Sequence, residues 1–403
     1  MVDRERRIRN ALWGLFIGDA LAMPAHWYYK VDNIKRDFDG GVTGYADPPN
    51  PHPESFMVGM AYRPDVEAAK RLRRPFDILH EHARFYQTTY GDLAIERTEH
   101  EGEHGNAVPT LEDRYHYHHG LVAGENTVAA HLARVLIRGV AADGRYEPDT
   151  FVAGFIEHLT TSGRNRDPYT EIYIRRWFEN YSLGWPEHAC AEQQRNVWSI
   201  GSHGGMIRPM LVSLLSDSAY QGLGFAVEHQ HLTHRSENVA AALGIAVPLL
   251  HELAGGADPL ENIHSAIEDV RVPRVTGAQL SELYRSHRGP GNIPHDEMWN
   301  LHTDLVDEPV EAERFASACY PEQGLPLMLA LARDHEADFT ATLLASVNTG
   351  GDNVHRTAVL GMLMGAACDE IPEELVAGLT ATDGVRAEIE AFVAIATAPP
   401  SHP

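Results

Sequence analysis

Apolar residues recur at helical spacing through most of this chain. Ile8, Leu12, Leu15 and Phe16 fall on one stripe, and Gly14 and Gly18 leave room for a second helix to come close. Thr127 stands where an N-cap belongs, ahead of an apolar face of Val128, Leu132, Val135 and Leu136. The same period predicts helices over 149–161, 170–182, 205–216, 236–254, 259–270, 277–286, 310–318, 325–347 and 356–368, with Asp149 and Ser236 as caps. Strand-like alternation is scarce and no repeat of fixed period is present, so the expectation is an all-α fold in one domain, 1–403. One stretch breaks the pattern. Residues 38–122 are rich in Gly, Pro, Tyr and His, and such a long irregular insertion is either a lid or binding segment or a surface excursion.

Charge and composition narrow the partners. A formal net charge of −24 argues against a nucleic-acid groove or an anionic membrane surface. No segment reaches the ~18 apolar residues of a membrane span, and the start of the chain lacks the uninterrupted apolar run of a signal peptide. The three cysteines, Cys190, Cys319 and Cys368, show no CxxC spacing. A soluble protein of the reducing cytoplasm, acting on a small molecule, is the expectation.

Two segments carry most of the candidate chemistry. Gly18-Asp-Ala-Leu-Ala-Met-Pro24 ends the first helix, and Asn348-Thr-Gly-Gly-Asp352 opens a late one. Each joins an apolar helix to a carboxylate in a glycine-flanked turn, which suggests one site closed by the two ends of the chain. Asp19 is either the polar end of a buried helix or part of that site. Asp352 is the stronger candidate, because the glycine pair before it has no evident packing purpose and would let backbone approach a ligand or metal. Ser199–Pro209 is glycine-dense and holds Arg208. It suits phosphate or ribose hydroxyls, or else is a tight helix–helix turn. His234 precedes a long helix and either contacts a ligand or caps. The remaining histidines cluster at His116, His118 and His119, at His229 and His231, and within 99–104. They match no standard zinc spacing, so a polar histidine-rich surface is the preferred reading.

Taken together these segments resemble the ADP-ribosylglycohydrolase family, which includes the dinitrogenase reductase-activating glycohydrolases and the J1 crystallins. Gly14-Leu-Phe-Ile-Gly-Asp-Ala-Leu-Ala-Met-Pro24 resembles its opening motif, and Ala123-Gly-Glu-Asn-Thr-Val128 falls at its Thr-Asp-Asp-Thr helix start. Gly204-Gly-Met-Ile-Arg-Pro209, Leu232-Thr-His234 and Asn348-Thr-Gly-Gly-Asp352 follow in the family's order, with Ile371-Pro372 after them. The resemblance implies a compact all-α domain with a central cleft, two magnesium ions, and hydrolysis of the bond between ADP-ribose and a side chain.

The metal ligands are where the chain departs. The family's Thr-Asp-Asp falls on Gly124, Glu125 and Asn126; its closing Asp-x-Asp-Thr falls on Asp352, Asn353, Val354 and His355; and an acidic position after the opening motif is His26. The expectation is that the dinuclear magnesium centre is lost. Either one divalent metal binds through Glu125, Asp352 and His355 or His26, or the site works without metal. The leading expectation is a divergent hydrolase of a glycosidic or related C–N or C–O bond in a small ribosyl or nucleotide-like substrate. Glu125, Asp352, His26, His355 and Asp19 would be its acid–base groups. Asn126, Gly204, Gly205, Arg208 and His234 would hold substrate, and Trp27, Tyr28 and Tyr29 would wall the cleft. The alternatives are a non-catalytic ligand-binding or structural descendant and a rewired lyase or amidohydrolase.

Overall fold

The structure, a computed structural model, describes residues 4–86, 114–270 and 317–398. Its elements are helices: α1 (Arg4–Ala22), α2 (Val31–Asp37), α3 (Val66–Leu72), α4 (Val128–Asp143), α5 (Pro148–Thr160), α6 (Ile172–Ser182), α7 (Gly204–Ser213), α8 (Ala219–Thr233), α9 (Glu237–Ala254), α10 (Pro259–Asp269), α11 (Pro321–Asp334), α12 (Phe339–Asn348), α13 (Asn353–Ala367), α14 (Glu373–Ala377) and α15 (Thr382–Ala396). No strand occurs among the described residues beyond one isolated bridge, Gln193 with Arg235. The fold is all-α, as expected.

Two helices from opposite ends of the chain form the centre. Every residue of α13 is buried, and so is α1 from Asn10 onward, so neither has the one-sided stripe of a surface helix. They run antiparallel in backbone contact. A Cβ on Gly14 would lie 1.9 Å from Gly361 O, one on Gly18 2.3 Å from Thr357 O, and one on Gly365 2.2 Å from Asn10 O. Glycine at these registers is a packing requirement, because any side chain would push the two axes apart. Helices α4 and α15 pack on α1, while α7, α9, α11 and α12 pack around α13.

The boundaries follow local chemistry. Thr127 caps α4, its hydroxyl accepting from Ala129 N, and Ser236 caps α9 by accepting from Val239 N at 3.0 Å. Asp149 is not a cap. Helix α5 starts one residue earlier at Pro148, whose missing N–H costs nothing there, and Glu147 precedes it. The helix expected over 325–347 is two, α11 and α12, broken where Glu336 and Ala337 take positive φ and Asp338 caps the second. The 277–286 helix, most of 310–318 and the 99–104 histidines lie outside the described residues.

The described parts of the 38–122 insertion are not a polar excursion. Met57, Tyr62, Phe85 and Tyr117 join the main apolar cluster, and His52, His116 and His118 are fully buried. The surface reading of His116 and His118 is therefore corrected. The segment folds its rings inward because each imidazole finds a buried partner: His116 Nε2 reaches Pro24 O at 3.0 Å and His52 Nε2 reaches His26 O at 3.0 Å.

Candidate functional site

The turn ahead of α13 sets the site. Gly350 and Gly351 both take left-handed backbone (φ 73° and 69°), a conformation that costs glycine least. Their close approach is to protein: a Cβ on Gly350 would sit 2.2 Å from Tyr28 O, and one on Gly351 2.0 Å from Ser317 O. The turn is clamped there. Gly351 N–H donates to Tyr28 O at 2.7 Å, Trp27 N–H to Gly351 O at 2.9 Å, and Asp352 N–H to Ser317 O at 3.1 Å. Arg356, fully buried one turn into α13, donates to Ser346 O and Gly350 O from beneath, and burial lowers its guanidinium to about 10.

Asp352 thereby projects its carboxylate among imidazoles. Oδ1 lies 3.0 Å from His26 Nε2 and 2.7 Å from His355 Nδ1, and Oδ2 lies 3.6 Å from His203 Nδ1. His26, Asp352 and His355 are all buried, and their ligand atoms lie within 4.8 Å of one another. Further groups extend the line on both sides. His26 Nδ1 meets His118 Nε2 at 2.7 Å, and His118 Nδ1 meets Asp167 Oδ1 at 2.8 Å. His355 Nε2 meets Glu171 Oε1 at 3.2 Å. Acid and imidazole alternate from Asp167 through His118, His26, Asp352 and His355 to Glu171, with two imidazoles adjacent at one step.

Burial and neighbours act in opposite directions here. Burial alone would raise Asp352, but His355, His26 and His203 around it hold the carboxyl well below its usual range. His355 shows the reverse balance: burial lowers it, yet Asp352 and Glu171 together raise it well above the ordinary imidazole value. His26 goes down to about 3 and His203 to about 4, in each case mainly through burial. An aromatic wall flanks the group. Trp27, a half-buried residue with positive φ (63°), packs on Phe56, Tyr117 and Tyr169 at ring distances of 4.9, 5.2 and 5.8 Å.

The other expected residues lie elsewhere. Asp19 is fully buried, but its oxygens are occupied: Oδ1 accepts from Asn126 Nδ2 and Thr127 N, each at 2.8 Å, and Oδ2 from Thr127 Oγ1 at 2.6 Å. Asp19 thus ties the start of α4 to α1, and Asn126 serves that tie. Glu125 turns to Arg166 (3.0 Å) and Val122 N (3.2 Å) and does not belong to the Asp352 group. Arg208 is buried and donates to Tyr173 Oη at 3.0 Å, Thr233 Oγ1 at 2.8 Å and His229 Nε2 at 3.3 Å, joining α6, α7 and α8. Gly204 and Gly205 are small because Glu171 and the His234 ring press on them; a Cβ would meet these at 2.7 and 3.0 Å. His234 ends α8, its ring centred 4.0 Å from that of Tyr173 and tilted 40° to it. Tyr28 is fully buried, its hydroxyl donating to Asp37 Oδ2 at 2.8 Å.

His118, Asp167, Glu171 and His203 were not among the residues expected from sequence. His203 sits inside the glycine-dense 199–209 stretch and His118 inside a visible histidine cluster, so both carried a weak signal. Asp167 and Glu171 sit in an irregular loop with no motif around them.

The family model for ADP-ribosylglycohydrolase matches residues 1–401. Among solved structures, the chain resembles one titled "ADP-ribosylglycohydrolase-related protein complex", with a TM-score of 0.51 and 17% identity over 98% of this chain and 100% of that one. That likeness is one of fold. No curated protein matches the chain. Among the described residues, no helix is long and apolar enough to cross a membrane.

Proposed function

Because the chain belongs to the ADP-ribosylglycohydrolase family, we propose that it is a hydrolase cleaving a glycosidic or related C–N or C–O bond of a small ribosyl or nucleotide-like substrate. Asp352 carries this reading: a buried carboxylate kept ionised by converging imidazoles is suited to orient a water molecule and to offset positive charge developing at the bond being cleaved. His355, held protonated between Asp352 and Glu171, is the better proton donor to a leaving group; His26, driven neutral by burial, is the poorer one. Trp27 offers its ring as a wall for the substrate. Asp19 and Glu125 have structural roles, because their oxygens are already bound.

The residues do not fit the family's dinuclear magnesium centre. Two hard cations need several carboxylate oxygens, whereas one carboxylate here faces imidazoles. One divalent ion held by Asp352, His355 and His26 is compatible with the group. It would polarise a substrate oxygen or acidify water when bound.

Turnover of a panel of ADP-ribosyl and simpler N-ribosyl compounds tests the assignment. Asp352→Asn is expected to lower kcat by about 10²–10⁴-fold, and an unchanged kcat refutes it. The rival, a non-catalytic descendant, draws on one feature: Asp352, His26, His203 and His355 are each no more than 2% exposed. Calorimetric binding of ADP-ribose with no product from any compound in the panel would favour that rival.

A further inference from the structure

We infer that a cavity where α8 gives way to α9 binds a small molecule bearing a phosphate or diphosphate group and a planar ring, held by Arg195, Arg235, Trp198 and the first turn of α9. None of the residues lining it belongs to the Asp352 group, so the inference goes beyond the hydrolase reading and does not depend on turnover.

One short pairing builds the cavity. The isolated bridge between Gln193 and Arg235 draws the segment that follows α6 onto the turn between α8 and α9. Gln194 N–H donates to Arg235 O at 2.9 Å, and Arg235 N–H to Glu192 O at 3.2 Å. The Gln194 side chain, 7% exposed, adds a second tie: its Oε1 accepts at 2.5 Å from Ser236 Oγ, the hydroxyl that caps α9. Two arginines distant in sequence thus share one opening with the start of a long helix. The cavity measures about 530 Å³. Small-molecule pockets span roughly 300–1,000 Å³, so there is room for much more than an inorganic phosphate.

The unspent hydrogen-bonding capacity of its wall is mostly donor. Arg195 is exposed and has no acceptor among the described residues. Arg235 is half-buried and gives one N–H to His188 O at 2.7 Å, with no carboxylate partner among the described residues. The N–H groups of Glu237 and Asn238, in the first turn of α9, have no acceptor there either, and a helix start carries partial positive charge. Gln194 Nε2 and Trp198 Nε1 are likewise unpartnered. The amides of Gln193 and Asn238 can serve either way, and Glu237 is the one carboxylate in the lining. Two permanently charged guanidiniums against one carboxylate leave the opening positive in a chain whose net charge is −24. With 57 acidic residues to 33 basic ones, carboxylate partners are plentiful elsewhere, which makes two guanidiniums without them at one opening informative. A phosphate group, all acceptor and matched to the guanidinium fork, answers this set.

Trp198 accounts for the remaining space. It is half-buried in the cavity wall, its ring 6.2 Å from that of Tyr320. An indole beside a phosphate-binding group takes a planar ring by stacking. The ligand class is therefore nucleotide-like, with phosphate toward the arginines and α9 and the ring toward Trp198.

Calorimetric titration of the full chain at low salt compares AMP, pyrophosphate and adenosine, using the wild type, Arg195→Ala, Arg235→Ala, Trp198→Ala and Asp352→Asn. One AMP per chain is expected, with adenosine at least about 10-fold weaker and AMP affinity falling as salt is added. Each arginine variant should weaken AMP about 10–100-fold. Trp198→Ala should weaken AMP but not pyrophosphate, and Asp352→Asn should bind AMP as the wild type does. Circular dichroism checks folding, and Arg235→Lys, which keeps the charge but loses the fork, replaces the alanine variant should that one unfold. No heat from millimolar AMP or pyrophosphate overturns the site. AMP binding lost in Asp352→Asn and kept in both arginine variants moves the ligand to the Asp352 group and overturns it equally. Pyrophosphate binding as tightly as AMP removes the ring and with it the ligand class. Failure of the hydrolase reading would leave all of these titrations unchanged.

Discussion

Glu322 is a carboxylate placed where water cannot reach it. It is the second residue of α11 and is fully buried, and neither oxygen has a hydrogen-bond partner among the described residues. Burial lifts its pKa from 4.5 to about 7; its own backbone N–H and Asn238, nearby but outside hydrogen-bond geometry, pull it back slightly. Between these two values the folded protein holds a proton that the unfolded chain has released. The stability contributed by this residue is therefore complete below pH 4.5, declines as pH rises through the window, and is flat above about 7. Glu322→Gln removes the titration. Integrating the two pKa values, the stability of the variant minus that of the wild type should grow by about 2.5 kcal/mol from pH 5 to pH 8. Urea unfolding of both proteins at pH 5, 6, 7 and 8 measures this. A fixed offset from the amide cancels in the pH dependence, as do the other titrating groups. A difference that stays level within about 0.5 kcal/mol across the range refutes an ionisable group held in an unfavourable place.

Other perturbations separate packing from function. Gly361→Ala drives a methyl to within 2.1 Å of Gly14 O and should cost about 3 kcal/mol or prevent folding, whereas Gly244→Ala, with open space at its Cβ inside α9, should gain about 0.5–1 kcal/mol; thermal melts compare them. Asp19→Ala orphans Asn126 Nδ2, Thr127 N and Thr127 Oγ1 and should lower stability by about 2–4 kcal/mol; melting unchanged by the substitution would return Asp19 to a catalytic role. Arg208→Lys should lower the melting temperature while leaving KM unaltered, because its bonds go to Tyr173, Thr233 and His229; a raised KM with unchanged melting would point to substrate binding.

How far a residue could be read from sequence tracked how local its cause was. Ser236 and Thr127 were legible as caps because a cap depends only on the next few residues. Asp149 misled because the proline before it starts the helix earlier. The glycines of the 350–351 turn marked a close approach, but not what approaches; that is the carbonyls of Tyr28 and Ser317, both remote in sequence. Arg208 and Tyr28 carry groups suited to a substrate, and only packing showed those groups turned to protein partners.

Helicity, a meeting of the two chain ends, and Asp352, His26 and His355 as the groups at that junction were all legible along the chain. Those follow from periodicity, from small residues at close registers and from motif order, all written along the chain. Only the packing of the folded chain showed that Glu125 and Asp19 are taken up by Arg166 and Thr127, that His203 faces Asp352, and that His118, backed by Asp167, and Glu171 meet the far nitrogens of His26 and His355. The physical reason is that a buried ionisable group takes its properties from whichever atoms fill the few ångströms around it. In this protein those atoms come from loops whose residues have no periodic relation to the groups they touch.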